Sequence, residues 1–356
     1  MNKGIELERV AHKFLWYNGF YVRTRTDVWI ENRDIKETKI TDIDVLGYKL
    51  GDFTKLQKVL IDCKSNEKGF NQILRVSTLK KHFNINTTIL VRERINQRAR
   101  YLANKFEHKI IEAQKIKNEF QKYPDVGSFK KEVYEKKLEI ESKLKDQRVI
   151  KREILFGISD IVLEENPYKK FKLCYARFND AIDLFEKIKE EDIKESIKWL
   201  MIDIYMLAWL SLVLITSDLS DCPQRYKKVE LENKFVEKWT TKNKIIEVLK
   251  TIAGKSFEKM NKELPFDPKP TYLNTILNIT NSLEENKDYV DKILRINDYI
   301  IHENILLNNS KVNLFEIKKI FNLNDNFLSI LPALNEQLLN ALKKRGSIPP
   351  EFLQLI

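Results

Sequence analysis

Residues Ile40 to Lys64, ITDIDVLGYKLGDFTKLQKVLIDCK, decide how the chain reads. Side chains alternate between the two faces of a strand, so Asp62 and Lys64 share one face while Ile61 and Cys63 share the other. Asp44 sits between Ile43 and Val45, which alternation turns toward a core. Gly51-Asp52-Phe53-Thr54 separates the apolar runs Lys39 to Leu50 and Gln57 to Lys64, as the turn of a hairpin does. Two carboxylates and an ammonium then converge on one edge of a hairpin. Hard oxygen ligands hold Mg²⁺, a bound metal acidifies water and screens a phosphate, and a nearby lysine steadies developing negative charge. Phosphodiester hydrolysis needs such a set.

Working outward, Leu7, Val10, Ala11, Phe14 and Leu15 recur at helical spacing and predict a helix over Ile5 to Tyr17, ended by Asn18-Gly19. A strand follows over Phe20 to Ile30, rich in aromatic and β-branched residues. Beyond Lys64 the pattern predicts a helix over Phe70 to Phe83, a strand over Asn86 to Val91, a helix over Ile95 to Phe106 and a short strand over His108 to Ile111. The order αβββαβαβ predicts an α/β domain over residues 1–113, a mixed sheet with helices against it. Residues 114–153 are charge-dense, broken at Tyr123-Pro124-Asp125-Val126-Gly127, and read as a charged helical connector. Residues 154–356 read as an all-α C-terminal domain, with apolar repeats in 170–190, 196–216, 228–262, 271–307 and 312–345. Breaks fall at Cys222-Pro223 and at Pro265 to Pro270.

Composition narrows the classes. Nine glycines and nine prolines in 356 residues suit helices more than an all-β sandwich. Cys63, Cys174 and Cys222 lie far apart, without the spacing of a zinc site or a disulfide framework, which fits a reduced cytoplasm. MNKGIELERV lacks the apolar stretch of a secretory signal. The run Trp199 to Ile215 is about 17 residues, the lower limit for a bilayer, and carries Asp203, so it reads as a buried helix and not a membrane segment. The net charge is +11, and residues 1–113 hold 22 Lys+Arg against 14 Asp+Glu. That local excess favours a phosphate-bearing partner. Arg23 and Arg25 alternate on the second element and are candidates to touch phosphates, unless they merely line an exposed strand edge.

Asp44, followed by Asp62-Cys63-Lys64 at the end of an apolar strand, resembles the PD-(D/E)XK signature of restriction-endonuclease-like nucleases. The resemblance implies that Asp44 and Asp62 are metal ligands, that the Cys63 carbonyl is another, and that Lys64 positions or activates water. It also implies Mg²⁺ as cofactor, with Mn²⁺ substituting, and DNA as substrate. Lys3-Gly4-Ile5-Glu6-Leu7-Glu8-Arg9 is similar to the K-G-x-x-x-E-R opening of archaeal Holliday-junction resolvases, which would make Glu8 an additional acidic ligand. Gln72 falls where several branches carry a site-lining Gln. Thr88 to Val91, Arg98 to Ala103 and Lys109 to Ile111 follow the family's strand, helix, strand pattern, so the resemblance spans about the first 113 residues. Thr41-Asp42-Ile43 departs from it, standing where the signature has Pro, and Asp42 shares a face with Asp44 as an alternative ligand.

Nucleases of this kind with helical appendages often serve restriction or other anti-phage defence, and the resemblance implies that role, with repair and recombination as the alternative. The helical part is a candidate for substrate positioning, homodimerisation or docking of a partner protein. Because Asp44 and Asp62 would crowd like charges, Asp62→Ala is expected to abolish cleavage and leave the fold nearly intact. Two other classes stay open. A non-catalytic nucleic-acid-binding module would bind with salt dependence and cut nothing. Arg295 and His302, seven apart, resemble the R-x(4-6)-H pair of HEPN ribonucleases, which cut RNA without metal, although Arg75 and His82 show the same spacing.

Overall fold

A computed structural model describes residues 3–32, 35–51, 55–64, 70–94, 96–146, 156–235, 270–304, 314–344 and 348. The first part runs α1 (Lys3–Tyr17), β1 (Tyr21–Asn32), β2 (Ile35–Gly51), β3 (Lys55–Lys64), α2 (Phe70–His82), β4 (Thr87–Arg92), α3 (Gln97–Lys105) and β5 (Lys109–Glu112). The expected αβββαβαβ order is found. The five strands lie side by side in chain order; β1, β2 and β3 are antiparallel, while β4 and β5 run parallel to β3. β2 begins earlier than its apolar pattern indicates, because β1 pairs with it as far as Asn32 opposite Ile35.

Helix α1 buries Leu7, Val10, Ala11 and Leu15 on one side. Gly19, at φ +90°, stops it: the Phe20 N–H donates to Leu15 O and the Gly19 N–H to Trp16 O, a turn that glycine adopts without strain. The helix lies so close on β2 that a Cβ at Gly47 would stand 2.8 Å from Leu15 Cδ1.

The C-terminal region is helical, as expected: α4 (Ala113–Phe120), a 3₁₀ turn (Gly127–Phe129), α5 (Lys131–Asp146), α6 (Phe156–Leu163), α7 (Pro167–Lys187), α8 (Glu191–Leu219), α9 (Gln224–Phe235), α10 (Leu273–Glu285), α11 (Lys287–Asn304), α12 (Leu314–Phe321) and α13 (Asp325–Leu342). The repeat expected over 228–262 lies outside the described residues beyond 235, as does most of the break from Pro265 to Pro270.

The stretch read as a connector does more than bridge. Asp125 pairs with Arg9 at 2.7 Å and with Lys13 at 2.6 Å, and Tyr17 Oη donates to Pro124 O at 2.8 Å. Ser128 Oγ donates to Asp298 Oδ2 of α11 at 2.7 Å and lies 3.0 Å from His12 Nε2 of α1. The buried core continues from the sheet through these contacts into the helices.

Helix α8 is long and apolar enough to cross a membrane, yet 83% of its most apolar window is buried inside the protein. Its Asp203 reaches β1 and meets Arg23 at 3.1 Å. Arg23 is therefore neither a phosphate contact nor part of an exposed edge: its side chain is 7% exposed and engaged with the helical region. Asp203 is 31% exposed, and its removal strands the buried charge of Arg23. Asp203→Ala should lower unfolding stability by about 3 kcal/mol in urea titrations, and adding Arg23→Met should recover most of it. Equal stability of Asp203→Ala and the parent would show that the pair holds nothing together.

Candidate active site

β2 and β3 pair down to Val45 opposite Ile61, a register that would set Asp44 opposite Asp62. At that point a side chain replaces the backbone ladder: Asp44 Oδ2 accepts the Cys63 N–H at 2.6 Å. Asp44 is 2% exposed, and Lys64 Nζ lies 3.9 Å from its Oδ1. Asp42 is 44% exposed and lies 3.9 Å from Arg75 Nη1, so the geometry brings Asp44 and not Asp42 against β3.

Burial, reinforced by the charge of Asp62, pushes the Asp44 carboxyl up to about 6, against the pull of Lys64 and the Cys63 N–H. Burial first and the charge of Asp44 second push Glu8, on α1, up to about 7. Tyr134 Oη of α5 donates to Glu8 Oε2 at 3.4 Å. Arg25, which the register brackets opposite Asp44, has φ +56° and lowers the Glu8 pKa. A left-handed backbone at a non-glycine residue stores strain, and such positions cluster at functional sites. The Cys63 thiol, pushed well above its ordinary value by burial, stays protonated and leaves only its backbone for ligation.

Asp62 is held differently. Arg75 Nη2 of α2 donates to its Oδ1 at 2.5 Å, and Arg92 Nη2 of β4 donates to its Oδ2 at 2.5 Å. Arg92 Nη1 also donates to Asp62 O at 2.8 Å and to Val91 O at 2.9 Å. The expectation of uncompensated like charges at Asp62 is thereby corrected. Asp62→Ala would leave Arg92, 4% exposed, without its carboxylate, and a broken buried pair costs about 3–5 kcal/mol. That variant reports on folding as well as chemistry.

Among the described residues, no three His, Cys, Asp or Glu side chains are gathered closely enough to cage a metal ion. The ligand set expected from sequence, Glu8, Asp44, Asp62 and the Cys63 carbonyl, thus fits Mg²⁺ in part. Its oxygens have the right chemistry for a hard cation. Asp62, however, gives each oxygen to a guanidinium. Gln72 stands one turn before Arg75 on α2, and its Oε1 is buried without a partner among the described residues.

Sequence reading passed over Arg75, Arg92 and Tyr134 as parts of this site. Arg92 had a signal: a charge at the end of the apolar strand TTILVR, which the parallel register sets beside Lys64. Arg295 and His302 lie elsewhere. His302 is buried, with Nδ1 2.7 Å from Asp298 O, and Arg295 Nη1 donates to Trp16 O at 3.3 Å.

The raised carboxyls have a consequence for stability. The folded protein retains protons on Asp44 and Glu8 that the unfolded chain releases near its ordinary carboxylate pKa of about 4. The stability this contributes is complete below about pH 4 and is lost as pH rises through about 6 to 7. Asp44→Asn stays neutral and keeps an oxygen for the Cys63 N–H. Its melting temperature should match the parent at about pH 4 and exceed it by about 2 °C or more at about pH 8 in metal-free buffer. A variant no more stable than the parent at the higher pH would remove the strain inferred here.

No family model, curated protein or solved structure matches the chain, so the site is judged on its own geometry.

Proposed function

We propose that this protein is a metal-dependent nuclease that hydrolyses phosphodiester bonds in DNA, in the manner of restriction-endonuclease-like enzymes of the PD-(D/E)XK signature. One observation carries the reading. Where β2 and β3 part, Asp44 and Lys64 stand 3.9 Å apart beside the buried Asp62, with Glu8 near enough for the charge of Asp44 to raise its carboxyl. A bound Mg²⁺, or Mn²⁺ in its place, supplies acidified water and positive charge at the phosphate.

Lys64 is 31% exposed, so its ammonium reaches an incoming phosphate and stabilises charge that develops on it. Glu8, with a pKa of about 7, takes or gives a proton at neutral pH more readily than an ordinary carboxylate. Lys81 on α2 and Arg94 after β4 add positive charge to the elements that follow the two parallel strands. The helical region would position substrate, or join a second copy or a partner protein, and a role in restriction or other anti-phage defence suits such an enzyme.

The two guanidiniums on Asp62 favour a second reading, a nucleic-acid-binding module without catalysis. A HEPN-type ribonuclease gains no support, because His302 is buried against Asp298 and Arg295 packs on Trp16. The purified protein should cut DNA in Mg²⁺ or Mn²⁺ and not in EDTA. Lys64→Ala should lower turnover about 100-fold or more while changing DNA affinity less than about threefold, since one phosphate contact among several adds little to binding. Cleavage in EDTA, or parental turnover in Lys64→Ala, would move the chemistry elsewhere. Salt-dependent binding with no cleavage under any metal would select the binding module.

A further inference from the structure

Of the two arginines on Asp62, one is fixed and the other is not. Arg92 is 4% exposed and ties itself to two backbone carbonyls besides the carboxylate. Arg75 is 29% exposed, and its other partners are the Thr41 hydroxyl at 2.9 Å and the half-exposed Asp42 at 3.9 Å. Its Nε is a buried donor without a partner among the described residues. A guanidinium presents its N–H groups as a fork that matches the oxygens of a carboxylate or a phosphate, and here the fork is only partly used. Gln72 Oε1, one turn earlier on the same helix, is a buried acceptor also without a partner among the described residues. The site contains groups whose partners are missing.

Charge points the same way. A cation approaching Asp62 meets two guanidiniums within hydrogen-bond distance of the oxygens it needs. Of the two guanidiniums, Arg75 is the removable obstacle, because it is the more exposed and is tied to no backbone carbonyl.

We propose that Arg75 is a latch: in the free protein it occupies Asp62, and a nucleic-acid phosphate takes over its guanidinium, so that Asp62 is released to a metal ion only when nucleic acid is bound. This rests on the nuclease reading above and adds an order to it. The phosphate gains the fork of Arg75, including the unpaired Nε, and the exchange leaves Arg92 in place to hold Asp62 on β3. By thermodynamic linkage, whatever factor the nucleic acid adds to metal affinity, the metal adds to nucleic-acid affinity. A site closed in this way takes up metal and substrate as a pair.

The test measures Mn²⁺ affinity by titration with and without a phosphorothioate oligonucleotide that resists cleavage. For the parent protein the oligonucleotide should tighten Mn²⁺ binding about tenfold or more. Arg75→Gln should bind Mn²⁺ more tightly than the parent without the oligonucleotide, and adding it should tighten that affinity by a clearly smaller factor than in the parent. Arg98→Gln removes the same charge from an exposed position on α3 that touches no carboxylate of the site, and should keep the parental rise. Thermal unfolding of each variant checks that it is folded. A parental rise in Arg75→Gln, an equal loss of the rise in Arg98→Gln, or weaker Mn²⁺ binding by Arg75→Gln alone would overturn the latch. Mn²⁺ binding by the parent that ignores the oligonucleotide would overturn the latch and leave the nuclease reading standing. Failure of all three proteins to bind Mn²⁺ in either condition would overturn both.

Discussion

A carboxylate as enclosed as Asp62 is costly to bury unless opposite charge and hydrogen bonds meet it there. Arg75 and Arg92 do so from two different elements, and in doing so they tie β3 to α2 and β4. The parallel pairing of β3 with β4 follows the same line, setting Lys64 beside Arg92 at the strand ends. Burial first and a neighbouring carboxylate second raise the carboxyls of Asp44 and Glu8, against the pull of Lys64 and, for Glu8, of Arg25. The site thus holds two kinds of carboxylate, one compensated and two under electrostatic load. What is chemically available depends on that division.

The order of strands and helices was legible because each element buries one face, and burial writes a period of two or of 3.6 into the sequence. The convergence of Asp44, Asp62 and Lys64 was legible for a related reason: alternation on two strands joined by a short turn fixes which side chains share a face. Arg75 and Arg92 escaped because their link to Asp62 crosses elements 13 and 30 residues away in the chain, and no local pattern encodes it. Arg23 was misread for the same reason, its partner Asp203 lying 180 residues further on. The expectation of crowded like charges at Asp62 counted the carboxylates and missed the guanidiniums.

Helix α1 serves both halves of the molecule. Glu8 stands at the site, while His12, one turn later, meets Ser128, which in turn donates to Asp298 of α11. Gly127, at φ +55°, places its N–H on Glu303 Oε1 at 3.0 Å, and a side chain there would be strained by that backbone angle. Arg295 lies over the Trp16 ring with its Nη1 on the Trp16 carbonyl. Arg295, one of the pair that resembled a ribonuclease signature, is thus spent on joining α11 to α1, while His302 is spent on Asp298 of its own helix, and a shift of the helical region would be felt one turn away at Glu8.

These closures also set an order of events during synthesis. Strands that neighbour each other in the sheet are neighbours in the chain, so the sheet needs nothing beyond residue 112 for its own pairing. The residues that steady α1 come far later: Tyr134 for Glu8, Asp298 for the His12 and Ser128 pair, and Arg295 for Trp16. A growing chain emerges from its N-terminus, and its early parts fold before its late parts exist. A ribosome carrying this protein would hold a sheet whose first helix had met Asp125 and Tyr134 but still lacked its contacts with α11 until the segment around residue 298 had emerged. Completion of the contacts that hold α1 against α11 is in that sense set by position in the chain, long after the sheet.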